Sequence, residues 1–321
     1  MSPLADQSRG GFSWARFLQT GALPIAIVIV FAVFGVLDER VWSPSNILNI
    51  AVQASYLAIF AMAQTMVILT RGFDLSLGVS VSLASVVAAL AMSGGSSLAA
   101  GLAAGVGVAT AVGFVNGLFV AGAGINPFVV TLGMANIILA LASTVSGGFP
   151  VTGLPDSFSA ILAQGSFLGV PAPLALALVV FVVLQALLQI TRFGRSLYIL
   201  GANPAAARAA GIRAVPVLTA AYTLCGLLIG LGAMMLTART GSGEPNLGGN
   251  LTLESIAAAV VGGVKLSGGE GGVGAAVLGA LFITVLSNGM NLVQVDGYLQ
   301  QICLGLIIIV SLIVSRQELR R

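Results

Sequence analysis

The sequence predicts an all-α polytopic membrane protein with about ten transmembrane helices, cytoplasmic N- and C-termini, and one short helix in its central cytoplasmic loop. Three observations predict it. The first is composition: 58% of the 321 residues are hydrophobic and 7% are charged, where soluble domains carry roughly 25% charge. The second is the apolar runs, which lie at 21–37, 47–69, 75–92, 97–122, 127–147, 172–190, 216–238, 252–265, 271–293 and 298–315. Most approach the roughly 17–25 residues that a bilayer crossing needs. The third is charge placement. With the N-terminus inside, Arg9, Arg16, Arg71, Arg192, Arg195, Arg208, Arg213, Lys265, Arg316, Arg320 and Arg321 all fall on the cytoplasmic side. Only Arg40 and Arg239 fall outside, a strong positive-inside bias. An error of one span in the middle would put the four central arginines outside.

Taken in order, residues 1–17 are a polar cytoplasmic lead-in to a retained first span, since no small-residue cleavage site follows. The turn Gly72-Phe-Asp-Leu-Ser-Leu-Gly78 is echoed by Gly263-Val-Lys-Leu-Ser-Gly-Gly269, which suggests two halves related in parallel. Chance likeness between Gly/Ser-rich turns is the alternative. The pairs Gly101/Gly105, Gly113/Gly117 and Gly226/Gly230 have the spacing that brings helices close, within one chain or between subunits. Pro127 after Asn126 breaks the preceding helix. Residues 148–171 and 239–251 read as external loops, either connectors or seats for a soluble partner. The run 252–265 is short and ends in glycine, as a half-helix inside the membrane would.

The central cytoplasmic loop, 191–216, carries Arg192, Arg195, Arg208 and Arg213 and no acid. Asn203 is a helix cap, Pro204 suits the first helical position, Ala205 to Ala210 favour helix, and Gly211 supplies a left-handed end. Two turns are too short to be stable alone in water, so this helix needs a surface to lie on.

The residues that carry chemistry are few. A phosphate-binding loop needs glycines followed by Lys and Ser or Thr. The single lysine, Lys265 in G-G-V-K-L-S, fails that spacing, so this chain does not hydrolyse ATP by that device. There is no histidine to shuttle protons or hold a metal. Cys225 and Cys303 sit in apolar runs as buried thiols. Asp74 lies near Arg71 at a membrane edge, Glu254 starts a span, and no chain of buried acids joins them. Gln64, Thr65, Asn116, Asn126, Thr131, Asn136, Asn288 and Asn291 are uncharged polar residues within spans. They suit either an uncharged solute or helix-to-helix hydrogen bonds.

T-R-F-G-R followed by G-x-N-x-x-A-A-R-x-x-G-I, T-x-G-x-D-L-S-x-G around Asp74, I-N-P-F-V-V-T-L-G at 125–133 and the run 256–269 together resemble the permeases of ABC-type sugar importers, the ribose/xylose/galactose group, over about 47–315. The resemblance implies a membrane-spanning subunit that binds no cofactor itself. ATP and Mg belong to cytoplasmic ATP-binding subunits, a periplasmic or surface sugar-binding protein delivers the solute, and a second permease subunit completes the path. It implies coupling to the ATPase through Arg192, Phe193, Gly194, Arg195, Asn203, Pro204, Ala206, Ala207, Arg208 and Gly211, with small Ala207 letting the rod sit deep in a groove. Family members often have Glu-Ala-Ala-Arg where this chain has Ala205-Ala206-Ala207-Arg208, so a contact of that Glu is absent or replaced. The solute-path candidates are Gln64, Asn116, Asn126, Asn136, Asn288 and Asn291. The implied place is the bacterial inner membrane and the implied solute a small carbohydrate. Nucleosides and furanosyl signal molecules fit an uncharged path as well. An ion-coupled secondary transporter is the rival function and a polytopic membrane enzyme the weaker one. Uptake that ignores ATP would favour the first.

Overall fold

The computed structural model describes residues 14–318, with the backbone alone for 14–21, 311–312 and 314–318. Arg9, Arg320, Arg321 and most of the 1–17 lead-in lie outside the described residues. The described residues are mostly helical, with α1 (Trp14–Leu37), α2 (Pro44–Ile68), α3 (Leu77–Ser93), α4 (Leu98–Gly117), α5 (Pro127–Ser146), α6 (Asp156–Leu162) and α7 (Ala172–Ile190). Then follow α8 (Arg192–Ala202), α9 (Pro204–Ala209), α10 (Ala214–Thr240), α11 (Leu251–Gly262), α12 (Val273–Leu292) and α13 (Gly297–Glu318). Among the described residues six helices are long and apolar enough to cross a membrane, and four shorter apolar stretches lie in α1, α3, α11 and α13. Together they coincide with the ten apolar runs.

α2 is the axis. Ser43 caps it by accepting from the Asn46 amide, and Pro44 starts it. Every residue from Ala54 to Ile68 is buried, as expected of a helix apolar on all sides. It packs against α7, α10, α11 and α12. α4 and α10 form the closest pair, and their glycines explain why. A Cβ on Gly113 would strike the backbone of Tyr222 and Gly226, and one on Gly226 would strike Ala109 and Gly113. The small-residue spacing at 113/117 and 226/230 therefore serves contact within the chain. α4 runs on into a π-helical turn at Leu118–Gly122, after which Asn126 caps α5 by accepting from the Phe128 amide at 2.9 Å.

The two segments read as external loops carry regular structure and contacts of their own. Residues 148–171 contain α6, anchored by fully buried Phe158, and a small hairpin of β1 (Ser166–Phe167) and β2 (Val170–Pro171). Residues 241–250 turn back along α3. Gly243 pairs with Val151, the Glu244 amide donates to Ser85 Oγ at 3.2 Å, and the Gly248 amide donates to Ser82 Oγ at 3.0 Å. Gly248 packs on Gly78, so the segment follows α3 for about 16 Å at 1.5 Å per residue. Ser82 and Ser85 satisfy backbone donors that an apolar helix would leave bare. α11 then starts beside Gly78, whose amide donates to Thr252 Oγ1 at 2.9 Å. Its 12 residues reach only about 18 Å, short of the roughly 30 Å hydrocarbon core. It ends at left-handed Gly263 (φ 108°).

At the chain's other turns, Arg40 pairs with Asp38 at 2.6 Å and donates to the Leu292 carbonyl, tying the α1–α2 turn to the end of α12. The hydrogen bonds from Arg40 hold the Asp38 carboxyl below its ordinary range.

Candidate functional site

The 191–216 loop folds into two helices. α9 forms where its sequence predicts it. Asn203 Oδ1 accepts from the Ala205 and Ala206 amides at 3.0 and 3.1 Å, Pro204 takes the first position, and Gly211 (φ 75°) turns the chain so that the Ile212 amide reaches the Ala207 carbonyl at 2.9 Å. α8 precedes it, capped by Thr191, whose Oγ1 accepts from the Gly194 amide at 3.1 Å. Its buried face is Gly194, Leu197, Leu200 and Gly201, and Phe193 packs at the edge of the core. Arg192, Arg195, Ala206, Arg208 and Arg213 are exposed, which leaves a positively charged surface. Ala207 has no exposure, so it faces the chain rather than outward.

α8 rests on the two echoed turns. Arg71, in a left-handed conformation (φ 66°) just past α2, donates from Nε to the Gly201 carbonyl and from Nη2 to the Ala202 carbonyl at 2.6 Å. A guanidinium at a helix C-terminus meets its unpaired carbonyls and the negative end of its dipole. The Gly269 amide donates to the Leu69 carbonyl at 3.0 Å, and Tyr198 Oη donates to the Gly271 carbonyl at 2.9 Å. A Cβ on Gly201 would overlap both the Leu69 carbonyl oxygen and the Gly269 amide. The α8–α9 pair is thus joined directly to the end of the buried axis helix.

Inside the bundle, Asp74 accepts from the Ser76 amide (2.9 Å) and hydroxyl (2.6 Å). Asn116 Nδ2 donates to Ser76 Oγ at 2.9 Å, while Asn116 Oδ1 is buried without a partner. Gln64 is fully buried, and neither its Oε1 nor its Nε2 has a partner. Asn126 lines a cavity of about 280 Å³ with Thr70, Arg71 and Tyr222, close beneath the α8–α9 pair. The other candidates have hydrogen-bond partners within the chain. Exposed Asn136 donates to the Leu132 carbonyl of its own helix. Asn288 and Asn46 exchange two hydrogen bonds at 3.0 and 3.1 Å, and Asn291 accepts from Gln300 at 2.9 Å. Asn288→Leu is therefore expected to lower detergent-extracted stability by about 1 kcal/mol and to leave uptake at the wild-type rate. A selective loss of uptake would make Asn288 a path residue.

A second cavity, about 400 Å³, opens at the other end of the molecule from α8 and α9. α2, α10, α11, α12 and α13 line it through Tyr56, Arg239, Glu254, Thr284, Ser287 and Gln300. Reading the sequence misses this group, because its members come from five helices with no shared spacing. The amides, hydroxyls and unlike charges suit binding and release rather than bond-breaking.

A family described as the permease component of a branched-chain amino acid transport system matches residues 46–312. The chain belongs to this family of transport permeases. The permease is 35% identical over 295 residues to the Ribose import permease protein RbsC of Bacillus subtilis (strain 168), covering 92% of each chain. It is 34% identical over 321 residues to RbsC of Escherichia coli (strain K12), covering 99% of this chain and 100% of that one. It is 32% identical over 317 residues to the Galactose/methyl galactoside import permease protein MglC of Escherichia coli (strain K12), covering 92% and 94%. No solved structure matches it. The permease is thus a multi-pass membrane protein, in keeping with its apolar helices.

Proposed function

We propose that this permease is the membrane-spanning subunit of an ATP-driven importer of a small carbohydrate in the bacterial inner membrane. In this reading ten spans place both termini and the α8–α9 pair in the cytoplasm, following the positive-inside bias. Two permease subunits, alike or different, line the path. Separate ATP-binding subunits, which hold ATP and Mg, dock on α8 and α9 through Arg192, Arg195, Ala206 and Arg208, and a periplasmic or surface sugar-binding protein delivers the solute. Lys265 pairs with Glu270 and is not presented to a phosphate. The observation that carries the reading is the bond from Arg71 to the end of α8, which makes movement of a docked ATPase a movement of α2. The sugar follows from the relatives, whose names specify ribose, allose and galactose. Gln64, Asn116 and Asn126 are the path residues of this reading, with Asn126 nearest the cytoplasm.

Reconstitution with a partner ATPase and a sugar-binding protein tests the proposal: D-ribose, D-allose or D-galactose should accumulate only with ATP. Accumulation driven by an ion gradient without ATP would establish a secondary transporter instead. The orientation has its own test. Cysteines at Ser157 and Ala206, both exposed, are expected to differ in intact cells. Ser157→Cys should react with an impermeant thiol reagent, and Ala206→Cys should react only after permeabilisation. The reverse pattern would invert the topology.

A further inference from the structure

The cavity at the end opposite α8 and α9 has a composition that defines what it holds. Arg239 and Glu254 both line it, yet they do not pair with each other. Among the described residues the ion pairs are Arg40–Asp38 and Lys265–Glu270. The Arg239 guanidinium instead lies over the ring of buried Tyr56, 5.4 Å from its centre, where a cation is held without using up its N–H donors. The Glu254 carboxylate likewise makes no ion pair and no hydrogen bond among the described residues, so its acceptors are free. One positive and one negative group give the cavity no net charge and opposite hydrogen-bonding demands. A neutral molecule with many hydroxyls, each both donor and acceptor, meets both demands. Thr284, Ser287 and Gln300 add neutral partners, and apolar walls at Leu57 and Ile283 suit the C–H faces of a sugar ring. A volume of about 400 Å³ lies near the lower end of small-molecule sites.

The backbone supports the same reading. Residues 241–250 enter along α3 without helical bonding, and Asn250 at the end of that segment lines the cavity. Irregular backbone at membrane depth is tolerated where it is buried in protein or faces a cavity. Below the cavity, Gln64 sits two helical turns past Leu57 on the same face of α2, with its amide unpartnered.

We infer that this cavity is the outward-facing holding site for one neutral monosaccharide, bound by Arg239 and Glu254 with Tyr56 positioning the guanidinium. The inference rests on the importer reading above and adds the place and charge class of the solute. In the complex with its ATPase and binding protein, Glu254→Gln and Arg239→Gln are expected to reduce uptake of the transported sugar about tenfold or more, as loss of a charged hydrogen-bonding partner does. A thiol at the cavity reports occupancy directly. In a Cys303→Ser background, reaction of Ser287→Cys with a charged thiol reagent should slow several-fold in D-ribose, D-allose or D-galactose, and not in D-galacturonate. Protection by none of these, with full uptake by both charge variants, overturns the site while wild-type ATP-driven uptake keeps the importer reading. Stronger protection by the acid overturns the neutral class. Absence of ATP-driven uptake in the wild type overturns the importer reading and the inference with it.

Discussion

Gly201→Leu is expected to reach the membrane at the wild-type level and to lose sugar uptake by more than tenfold, together with sugar-stimulated ATP hydrolysis. Gly201 has a carbonyl on one side and an amide on the other, from Leu69 and Gly269, with no room for a Cβ between them. Backbone cannot move aside as the tip of a flexible side chain can. The added side chain must lift α8 away from the 69–71 and 268–269 turns. That separation also breaks the two bonds from Arg71, and hydrogen bonds to a charged group contribute roughly 1.5–3 kcal/mol each. The overpacking itself costs about 1–3 kcal/mol, and it acts outside the buried packing of α2, so the spans still assemble. Gly133→Ala is the control, since nothing lies within 4 Å of a Cβ there. It should transport as the wild type does. Normal stimulated hydrolysis in Gly201→Leu would show that α8 is a connector and that Arg71 transmits nothing.

The same region shows what can be read from residues and what cannot. α9 is legible because Asn203, Pro204 and Gly211 act locally, through a cap, a fixed φ and a left-handed turn. The helical state of α8 is not legible in the same way. R-F-G-R-S-L-Y-I-L-G-A has two glycines and a short apolar face, and its glycines make sense only against the partners they touch: Leu188 for Gly194, and Leu69 with Gly269 for Gly201. Ala207 illustrates the same limit. Its small size marks close packing, but the surface it packs on is its own chain, and sequence spacing does not name the partner. The ten apolar runs are legible because hydrophobic length is a property of contiguous residues. The inward course of 241–250 is not, because a turn-rich composition serves a surface loop and a segment paired to α3 alike. The sequence mark of that course is Ser82 and Ser85, two of the four serines on an otherwise apolar helix.

Gln64→Leu is expected to raise the thermal stability of the purified permease and to cut uptake by about tenfold or more. The two effects point in opposite directions, and that is what makes the variant informative. A buried donor or acceptor without a partner costs roughly 1–3 kcal/mol, while an apolar side chain of similar shape removes that cost. Gln64 has both polar atoms buried and unpartnered within the stretch of α2 from Ala54 to Ile68, which is buried throughout. If its amide served only to join helices, it would have a partner in this state, as Asn288 has in Asn46. An amide kept at such a cost, on the face of α2 that also meets the outer cavity through Leu57, fits a group that binds when the path opens. Leucine fills the space and cannot make that bond, so the protein should gain stability and lose turnover. Gln64→Asn is the companion variant: it keeps the amide on a shorter stem, and uptake should recover in part without the gain in stability. Thermal unfolding in detergent and ATP-driven sugar uptake are the two measurements. Lower stability with full uptake in Gln64→Leu would return Gln64 to helix packing and remove it from the path.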